Sequence, residues 1–174
     1  MAPDAYDLPV QIVAARRVIE NSSCKPQPQD ERMRIHHVGI AVDSLEKAVP
    51  VFELLLGRPP HSREEVKDQN VRVAVFQVGE SRIELLEASS PDSPIARFIG
   101  KRGPGIHHLT LTVDNLQKTL NDLGQRGVRL IDRSPRVGAE GESIAFLHPS
   151  STASVLIELL EERDSCQETP HGER

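Results

Sequence analysis

The chain has 174 residues, which suits a single domain or two small modules that share one core. It carries a formal net charge of −5, no Trp and one Tyr, which argues against a nucleic-acid-binding surface, because such surfaces need basic patches and stacking aromatic side chains. No apolar run reaches the roughly 20 residues that would cross a bilayer, so neither nucleic acid nor a membrane is an expected partner.

The two ends of the chain are polar and are not expected to join the folded core. Residues 1–34 contain one short helical candidate, Val10–Glu20, and then a polar run, so we interpret them as an extension and linker. Residues 162–174 have the composition of a disordered tail. The start is interrupted by acidic residues and lacks the apolar region of a secretory signal, so a cytoplasmic location is expected. Cys24 and Cys166 lie in these ends and lack the spacing of a metal site.

Between these ends, the predicted elements run through the same order twice. Module 1 spans residues 35–91, a connecting helix is expected within residues 92–105, and module 2 spans residues 106–161. Each module is predicted to fold as β-α-β-β-β. The predicted strands are Ile35–Val42, His61–Lys67, Val71–Val78 and Arg82–Leu86 in module 1, and Ile106–Val113, Arg129–Pro135, Ser143–Leu147 and Val155–Leu160 in module 2.

A helix is predicted after the first strand of each module. Apolar residues recur at helical spacing after Asp43 and after Asp114. Each aspartate stands three residues before Glu or Gln, a pattern that resembles a capping box, so each is predicted to be the N-cap. Gly57 and Gly127 follow these two helices.

Two short segments recur in the two modules in the same order. Ile35–Val38 reads IHHV and recurs as IHHL at Ile106–Leu109, and Ile83–Glu87 reads IELLE and recurs at Ile157–Glu161. Such self-similarity indicates a duplicated unit. The repeated His and Glu residues are also metal-ligand types, so the duplication bears on the chemistry as well as on the fold.

The alternation of side chains along a strand predicts which histidine of each pair faces a cavity. His36 and His107 share a face with apolar residues that would pack against the helix of their module. His37 and His108 lie on the opposite face. The second histidine of each pair is therefore the candidate functional residue.

The same alternation applies to the repeated Glu segment. The apolar neighbours of Glu84 and of Glu158 would point to the core, which leaves both carboxylates on the cavity face. A twofold relation between the modules would bring together His37, Glu84, His108 and Glu158. Two imidazoles and two carboxylates suit a divalent first-row ion with open positions, whereas closed structural zinc sites prefer thiolates. Any one of these residues taken alone is more simply a hydrogen-bonded or solvated strand residue, but their paired recurrence on one face favours a metal site.

These segments belong to a longer series that resembles a known family. The series IHHVGIAV, VGESRIELLE, DSPIARFI, GIHHLTLTVDN, GVRLIDRSPRVGAEG, IAFLHP and VLIELLE keeps its order and spacing over Ile35–Glu161. It resembles the vicinal-oxygen-chelate (glyoxalase/bleomycin-resistance) superfamily and, within it, the methylmalonyl-CoA epimerases. The resemblance implies an α+β fold in which two tandem βαβββ modules form a curled mixed sheet around a metal site.

The resemblance also implies a chemistry. Carried over by position, the ligands of one divalent ion fall on His37, Glu84, His108 and Glu158, with Co²⁺ as the first expectation and Mn²⁺, Ni²⁺, Mg²⁺ or Zn²⁺ as alternatives. The implied assembly is a homodimer and the implied substrate is an acyl-CoA, whose (R)- and (S)-methylmalonyl forms would interconvert by α-proton abstraction through a metal-stabilised enolate. Inversion needs an acid/base group on each face of the planar intermediate. Glu158 and Glu84 are expected to be these two groups.

Three other functions remain open for the sequence. A glyoxalase-I-type lactoylglutathione lyase would use the same ligands, and an iron dioxygenase would need two histidines and one carboxylate, so a second carboxylate would crowd its oxygen position. A ligand-sequestering binding protein needs no complete ligand set, so metal content separates that function from the enzymes. The sequence also departs from the family at several positions. Ser150–Ser154 stands where members have Lys and paired Gly, Glu140, Glu142 and Ser143 stand where His and basic residues are common, and Val73 stands where some members have a catalytic glutamate.

Overall fold

The computed structural model describes residues 33–138 and 141–162, which form one mixed β-sheet with three α-helices. The helical candidate Val10–Glu20 and the tail beyond residue 162 lie outside these residues. In the described part, no helix combines the length and the apolar character needed to cross a bilayer. The elements are β1 (Ile35–Ala41), α1 (Leu45–Leu56), β2 (Ser62–Val66), β3 (Val71–Val78), β4 (Ser81–Ala88), α2 (Pro94–Arg102), β5 (Gly105–Thr112), α3 (Leu116–Gln125), β6 (Arg136–Val137), β7 (Ser143–Leu147) and β8 (Leu156–Glu161), with 3₁₀ turns at Lys67–Gln69 and Pro149–Ser151.

The duplication is visible in the order of the strands, β2-β3-β4-β1-β5-β8-β7-β6. In each module the first strand pairs in parallel with the last, β1 with β4 and β5 with β8. The modules join through the antiparallel pair β1–β5, which we call the seam. A twofold axis between the modules requires this antiparallel direction. The predicted fold of two βαβββ modules in one mixed sheet is confirmed.

Two apolar clusters attach α1 and α3 to the outer face of the sheet. Their buried members are Val49, Ala74, Phe76 and Leu85 in module 1, and Val113, Leu116, Leu120, Ala145, Leu147 and Leu159 in module 2. Full burial of one such aliphatic or aromatic side chain stabilises the fold by about 1.5–3 kcal/mol. A third cluster holds Ile95 of α2 against alternate residues of the same strands, such as Val73 and Leu86. These alternate residues lie on the inner face, which is therefore left to form a cavity.

Both outer helices begin one residue later than the capping pattern predicted. Ser44 and Asn115, and not Asp43 and Asp114, are the N-caps, with extended backbones. Each side chain accepts a hydrogen bond from the amide three residues later, at 3.4 and 2.8 Å. The prediction was wrong because two adjacent residues could each cap the helix, and residue type alone does not decide which of them is extended.

A carboxylate from the last strand of each module also meets a helix start. Oε2 of Glu87 accepts a hydrogen bond from the amide of Leu45 at 3.2 Å, and Oε2 of Glu161 accepts one from the amide of Leu116 at 2.6 Å. These amides have no partner within their helix, and a negative charge is favourable at that end of the helix dipole. The final glutamate of each IELLE segment therefore ties its strand to the outer helix.

We expect Glu161→Ala to lower the free energy of unfolding by about 1 kcal/mol, a loss comparable to that of an N-cap side chain. Denaturant unfolding followed by circular dichroism measures the change. Glu65→Ala is the control, because Glu65 is an exposed residue of β2 and such substitutions change stability by about 0.5 kcal/mol or less. Equal effects of the two substitutions would contradict the capping role.

Arg129–Pro135 does not form the predicted strand. Only Leu130 makes an isolated bridge to β7, and β6 follows as a two-residue strand. The carboxylate of Asp132 accepts the amide hydrogen of Phe146 at 2.9 Å, which removes that amide from a regular ladder. Pro135 has no amide hydrogen with which to continue the pairing. A side chain that replaces one ladder bond is not visible in a hydrophobic pattern.

Candidate metal centre

The four candidate ligands lie on the four central strands of the sheet, one on each. They are Glu84 on β4, His37 on β1, His108 on β5 and Glu158 on β8. Gly39 lies opposite Glu84 in the parallel pair of module 1, and Thr110 lies opposite Glu158 in the parallel pair of module 2. The duplicated topology therefore gives the two carboxylates matching backbone positions.

Three of these residues bring ligand atoms to one point. His37, His108 and Glu158 are buried, and one ligand atom of each lies within 4.8 Å of the others. Nε2 of His37 is 2.9 Å from Nε2 of His108 and 3.4 Å from Oε2 of Glu158. The distance from Nε2 of His108 to the same oxygen is 3.8 Å. Nitrogen and oxygen donors from three strands thus converge as a single ion would require.

Glu84 lies beside this group and not within it. Its Oε1 is 3.7 Å from Nδ1 of His37, whereas the shared point lies at Nε2. The side chain of Glu84 is 17% exposed, and that of Glu158 is 8% exposed. The His37 ring therefore lies between two carboxylates, that of Glu84 at Nδ1 and that of Glu158 at Nε2.

Strand alternation predicted that His36 and His107 face the core, and that prediction was wrong. The seam register shifts between residues 35 and 37 and again opposite His107, so each of these histidines is an extra residue in its strand. The resulting bulges bring Nδ1 of His36 to 2.8 Å from Nδ1 of His37, and Nδ1 of His107 to 2.9 Å from Nδ1 of His108. Both outer histidines line the cavity. A bulge re-aims a side chain without leaving a periodic signal in the sequence.

The electrostatics of the group suit a cation. Burial lowers the pKa of His108 to about 4, so the ring is neutral at neutral pH and its lone pair is available. Burial also lowers the pKa of His107. Burial alone would raise the pKa of Glu158, but hydrogen bonds from His37 and Thr110, together with electrostatic attraction to His108 and His37, outweigh that effect and lower the pKa, so the carboxylate is ionised. Two imidazoles and a carboxylate, without a thiolate, fit a divalent first-row ion.

Gly39 is required where the ring of His108 crosses β1. A Cβ atom at residue 39 would lie 2.8 Å from Nε2 of His108 and closer still to two further ring atoms. Real Cβ atoms do not lie that close to other heavy atoms, so any other residue at this position would force the ring to move. The glycine is therefore a condition for the observed place of a candidate ligand.

We expect Gly39→Ala to displace the His108 ring and to weaken divalent-ion binding by about tenfold or more, as do changes that misplace a ligand. Competition with a chromophoric chelator measures the affinity. Gly100→Ala is the matched control, because Gly100 lies in α2 with open space around the added Cβ and alanine favours a helix by about 1 kcal/mol. An unchanged affinity in Gly39→Ala would show that ion binding does not depend on the position of the His108 ring.

The ligand group lines a cavity of about 470 Å³, a size usual for small-molecule sites. Charged side chains outside the predicted set also line it: Arg82, Arg97, Arg136, Glu64, Asp68, Asp92 and Glu142. Of these, Arg82 had a positional signal, because it stands two residues before Glu84 on the same strand face, and Glu142 had been noted as a departure from the family. Oε2 of Glu142 is buried without a hydrogen-bond partner among the described residues. The other positions depend on how the sheet and its turns fold around the cavity.

Comparisons with known proteins agree with this architecture. Residues 36–146 match the family described as "Glyoxalase/Bleomycin resistance protein/Dioxygenase superfamily". The protein YqjC of Bacillus subtilis, described as uncharacterized, is 43% identical over 128 residues, which cover 74% of this chain and 91% of YqjC. The mitochondrial methylmalonyl-CoA epimerase of Bos taurus is 35% identical over 127 residues, which cover 72% of this chain and 73% of that protein.

A solved structure is similar in both sequence and fold. The crystal structure of methylmalonyl-CoA epimerase from Mycobacterium tuberculosis has a TM-score of 0.67 and 37% sequence identity. The alignment covers 74% of this chain and 87% of that chain. The alignment therefore spans most of that structure.

Proposed function

The chain belongs to the glyoxalase/bleomycin resistance protein/dioxygenase superfamily, and from that membership we propose that it is a metal-dependent epimerase that interconverts (R)- and (S)-methylmalonyl-CoA. The observation that carries this proposal is the pair of carboxylates beside the His37 ring. Oε2 of Glu158 lies 3.4 Å from Nε2, and Oε1 of Glu84 lies 3.7 Å from Nδ1. Inversion of a carbon needs two acid/base groups in one cavity, and this cavity has them beside a candidate metal site.

The residues that would hold the ion are His37, His108 and Glu158, with Glu84 as a fourth candidate. A divalent cation bound there supplies Lewis-acid stabilisation of negative charge that develops on a carbonyl oxygen, by several kcal/mol. His37, His108 and Glu158 are buried, and electrostatic interactions are stronger in a buried site than in water. The outer histidines His36 and His107 hold the inner rings through their Nδ1 atoms.

We assign proton transfer to Glu158 and Glu84. The carboxylate of Glu158 takes the α-proton from one face of the carbon, and the electron pair of the broken C–H bond moves into the thioester carbonyl. Glu84, in its protonated form, then gives its proton to the opposite face, so the configuration inverts. In the reverse direction the two residues exchange roles. Glu84 is the more exposed of the two, so its proton is the one that exchanges more readily with water.

Finer features belong to the same proposal. We propose Co²⁺ as the ion, a homodimer as the assembly, the cytoplasm as the location and residues 35–161 as the functional unit. The family resemblance supports the first two, and the polar composition of both chain ends supports the last. Three arginines, Arg82, Arg97 and Arg136, line the cavity, and we propose that they offset the negative charge of an acyl-CoA substrate.

The test is incubation of the protein with single-enantiomer methylmalonyl-CoA in deuterated water. We expect the α-hydrogen to be replaced by deuterium while the configuration inverts, and we expect a chelator to stop both and Co²⁺ to restore them. Propionyl-CoA is the control, because without the second carboxyl group its α-proton is less acidic. Absence of exchange would overturn the proposal, and turnover of the glutathione hemithioacetal of methylglyoxal would favour a glyoxalase-I-type lyase instead.

A further inference from the structure

The two modules differ at one position beside the metal-ligand group. The offset of 71 residues that relates His37 to His108 also relates Gly39 to Thr110. Each of the latter two lies opposite the candidate carboxylate of its own module. Module 1 therefore places a residue without a side chain opposite Glu84, whereas module 2 places a hydroxyl opposite Glu158.

The hydroxyl of Thr110 contacts two of the three converging ligand atoms. It donates a hydrogen bond to Oε2 of Glu158 at 2.6 Å, and it lies 2.8 Å from Nε2 of His37. A hydroxyl has one proton, and here that proton goes to the carboxylate, so the oxygen accepts from Nε2–H of His37 in this structure. An ion would take the lone pair of that nitrogen in place of its proton, and Thr110 would then keep its bond to Glu158. Thr110 is fully buried, so solvent does not compete for these bonds. The bond to Oε2 of Glu158 is therefore the contact through which Thr110 can act on the ligand group.

We propose that Thr110 is a positioning residue that fixes Oε2 of Glu158 toward His37 and makes the two carboxylates unequal despite their matching backbone positions. A hydrogen bond to an ionised carboxylate is about twice as strong as one between neutral groups. Gly39 gives Glu84 no such hydroxyl. Glu158 is therefore the carboxylate that a hydroxyl of its own module holds in place. The part of this inference that concerns proton transfer rests on the proposed function, whereas the part that concerns ion binding does not.

The first experiment measures ion affinity without any turnover. Thr110→Val keeps the shape of the side chain and removes the hydroxyl, and Thr110→Ser keeps the hydroxyl. We expect Thr110→Val to weaken Co²⁺ binding by about 10–100-fold, the usual effect of losing a residue that orients a ligand. Thr110→Ser should retain most of the parent affinity. If Thr110→Val does not fold, Thr110→Ala is measured against Thr110→Ser in the same way.

The matched control is Thr112→Val. Thr112 lies two residues further along β5, is also buried, and its hydroxyl accepts a hydrogen bond from the amide of Arg34 at 3.1 Å, away from the ligand group. This variant should lose stability and keep its ion affinity. Parent affinity in Thr110→Val, or equal losses in the two Val variants, would overturn the positioning role, because a merely structural hydroxyl would act only on stability.

The second experiment separates the two carboxylates. Deuterium exchange into each pure enantiomer of methylmalonyl-CoA is followed at saturating Co²⁺, so that a difference in affinity does not enter. Thr110→Val should slow exchange from the enantiomer that Glu158 deprotonates and leave exchange from the other near the parent rate. Equal slowing for both enantiomers would overturn the asymmetry. If the parent protein exchanges neither enantiomer while Thr110→Val still weakens ion binding, the proposed function fails and the positioning role stands.

Discussion

Alanine at His37 or at His108 is expected to weaken divalent-ion binding by more than about 100-fold, since losing even an orienting residue costs about 10–100-fold. Each imidazole supplies one of three converging ligand atoms, and the remaining two donors would leave the ion largely to water. The parent should hold about one ion per chain after gel filtration, measured by elemental analysis, and both variants should hold almost none. Epimerisation should be lost with the ion.

His61→Ala is the control for this series, because His61 is exposed and does not line the cavity. His36→Ala and His107→Ala should fall between the control and the ligand variants, with affinities lowered by about tenfold, because their Nδ1 atoms orient the inner rings. Strand alternation alone would have left these two outside the site. Parent affinity in both outer variants would mean that the bulge contacts do not support the ligands.

Glutamine at the two carboxylates should have different consequences. Glu158→Gln is expected to lose both ion affinity and turnover, because Glu158 is proposed as ligand and base together. Glu84→Gln should retain the ion, since Oε1 of Glu84 lies outside the converging group. It should nevertheless lower the rate of inversion by about 100-fold or more, within the usual range for a lost acid/base group.

The decisive observation for Glu84→Gln is exchange without inversion. With Glu158 intact, the variant should still exchange the α-proton of one enantiomer with solvent deuterium and return that enantiomer with its configuration unchanged. Mass spectrometry and a chiral assay on the same sample measure the two events separately. Inversion at the parent rate would assign Glu84 to a structural role, and the other cavity carboxylates, Glu64, Asp68, Asp92 and Glu142, would then be the next candidates.

The repeats explain why most of the fold could be predicted from the sequence. Two copies of one segment order indicate a twofold relation, and that relation is compatible with the antiparallel seam. The failures are local. Asp43 and Ser44 are both good caps, so their order in the sequence does not identify the N-cap. The strand expected at Arg129–Pro135 was lost because a single carboxylate, that of Asp132, replaces a backbone partner.

The candidate site was also predicted only in part. The inward faces of His37, His108 and Glu158 follow from alternation, because these residues lie in regular parts of their strands. The places of His36 and His107 do not follow, because an inserted residue shifts the alternation only where it occurs. The distance between Glu84 and the converging atoms depends on side-chain rotation, which a pattern of residue types does not encode.

The seam also decides how the chain could be divided. Cleavage at Gly103–Gly105 would separate a fragment with His37 and Glu84 from one with His108 and Glu158, and each fragment would expose an unpaired strand edge. Reassociation of the fragments would restore the β1–β5 pairing, and an ion bound between them would add its binding free energy to their association. The ion would then be a cross-link between two polypeptides, and fragment complementation would depend on metal concentration. A single protein would thereby become a metal-controlled heterodimer without the loss of any ligand.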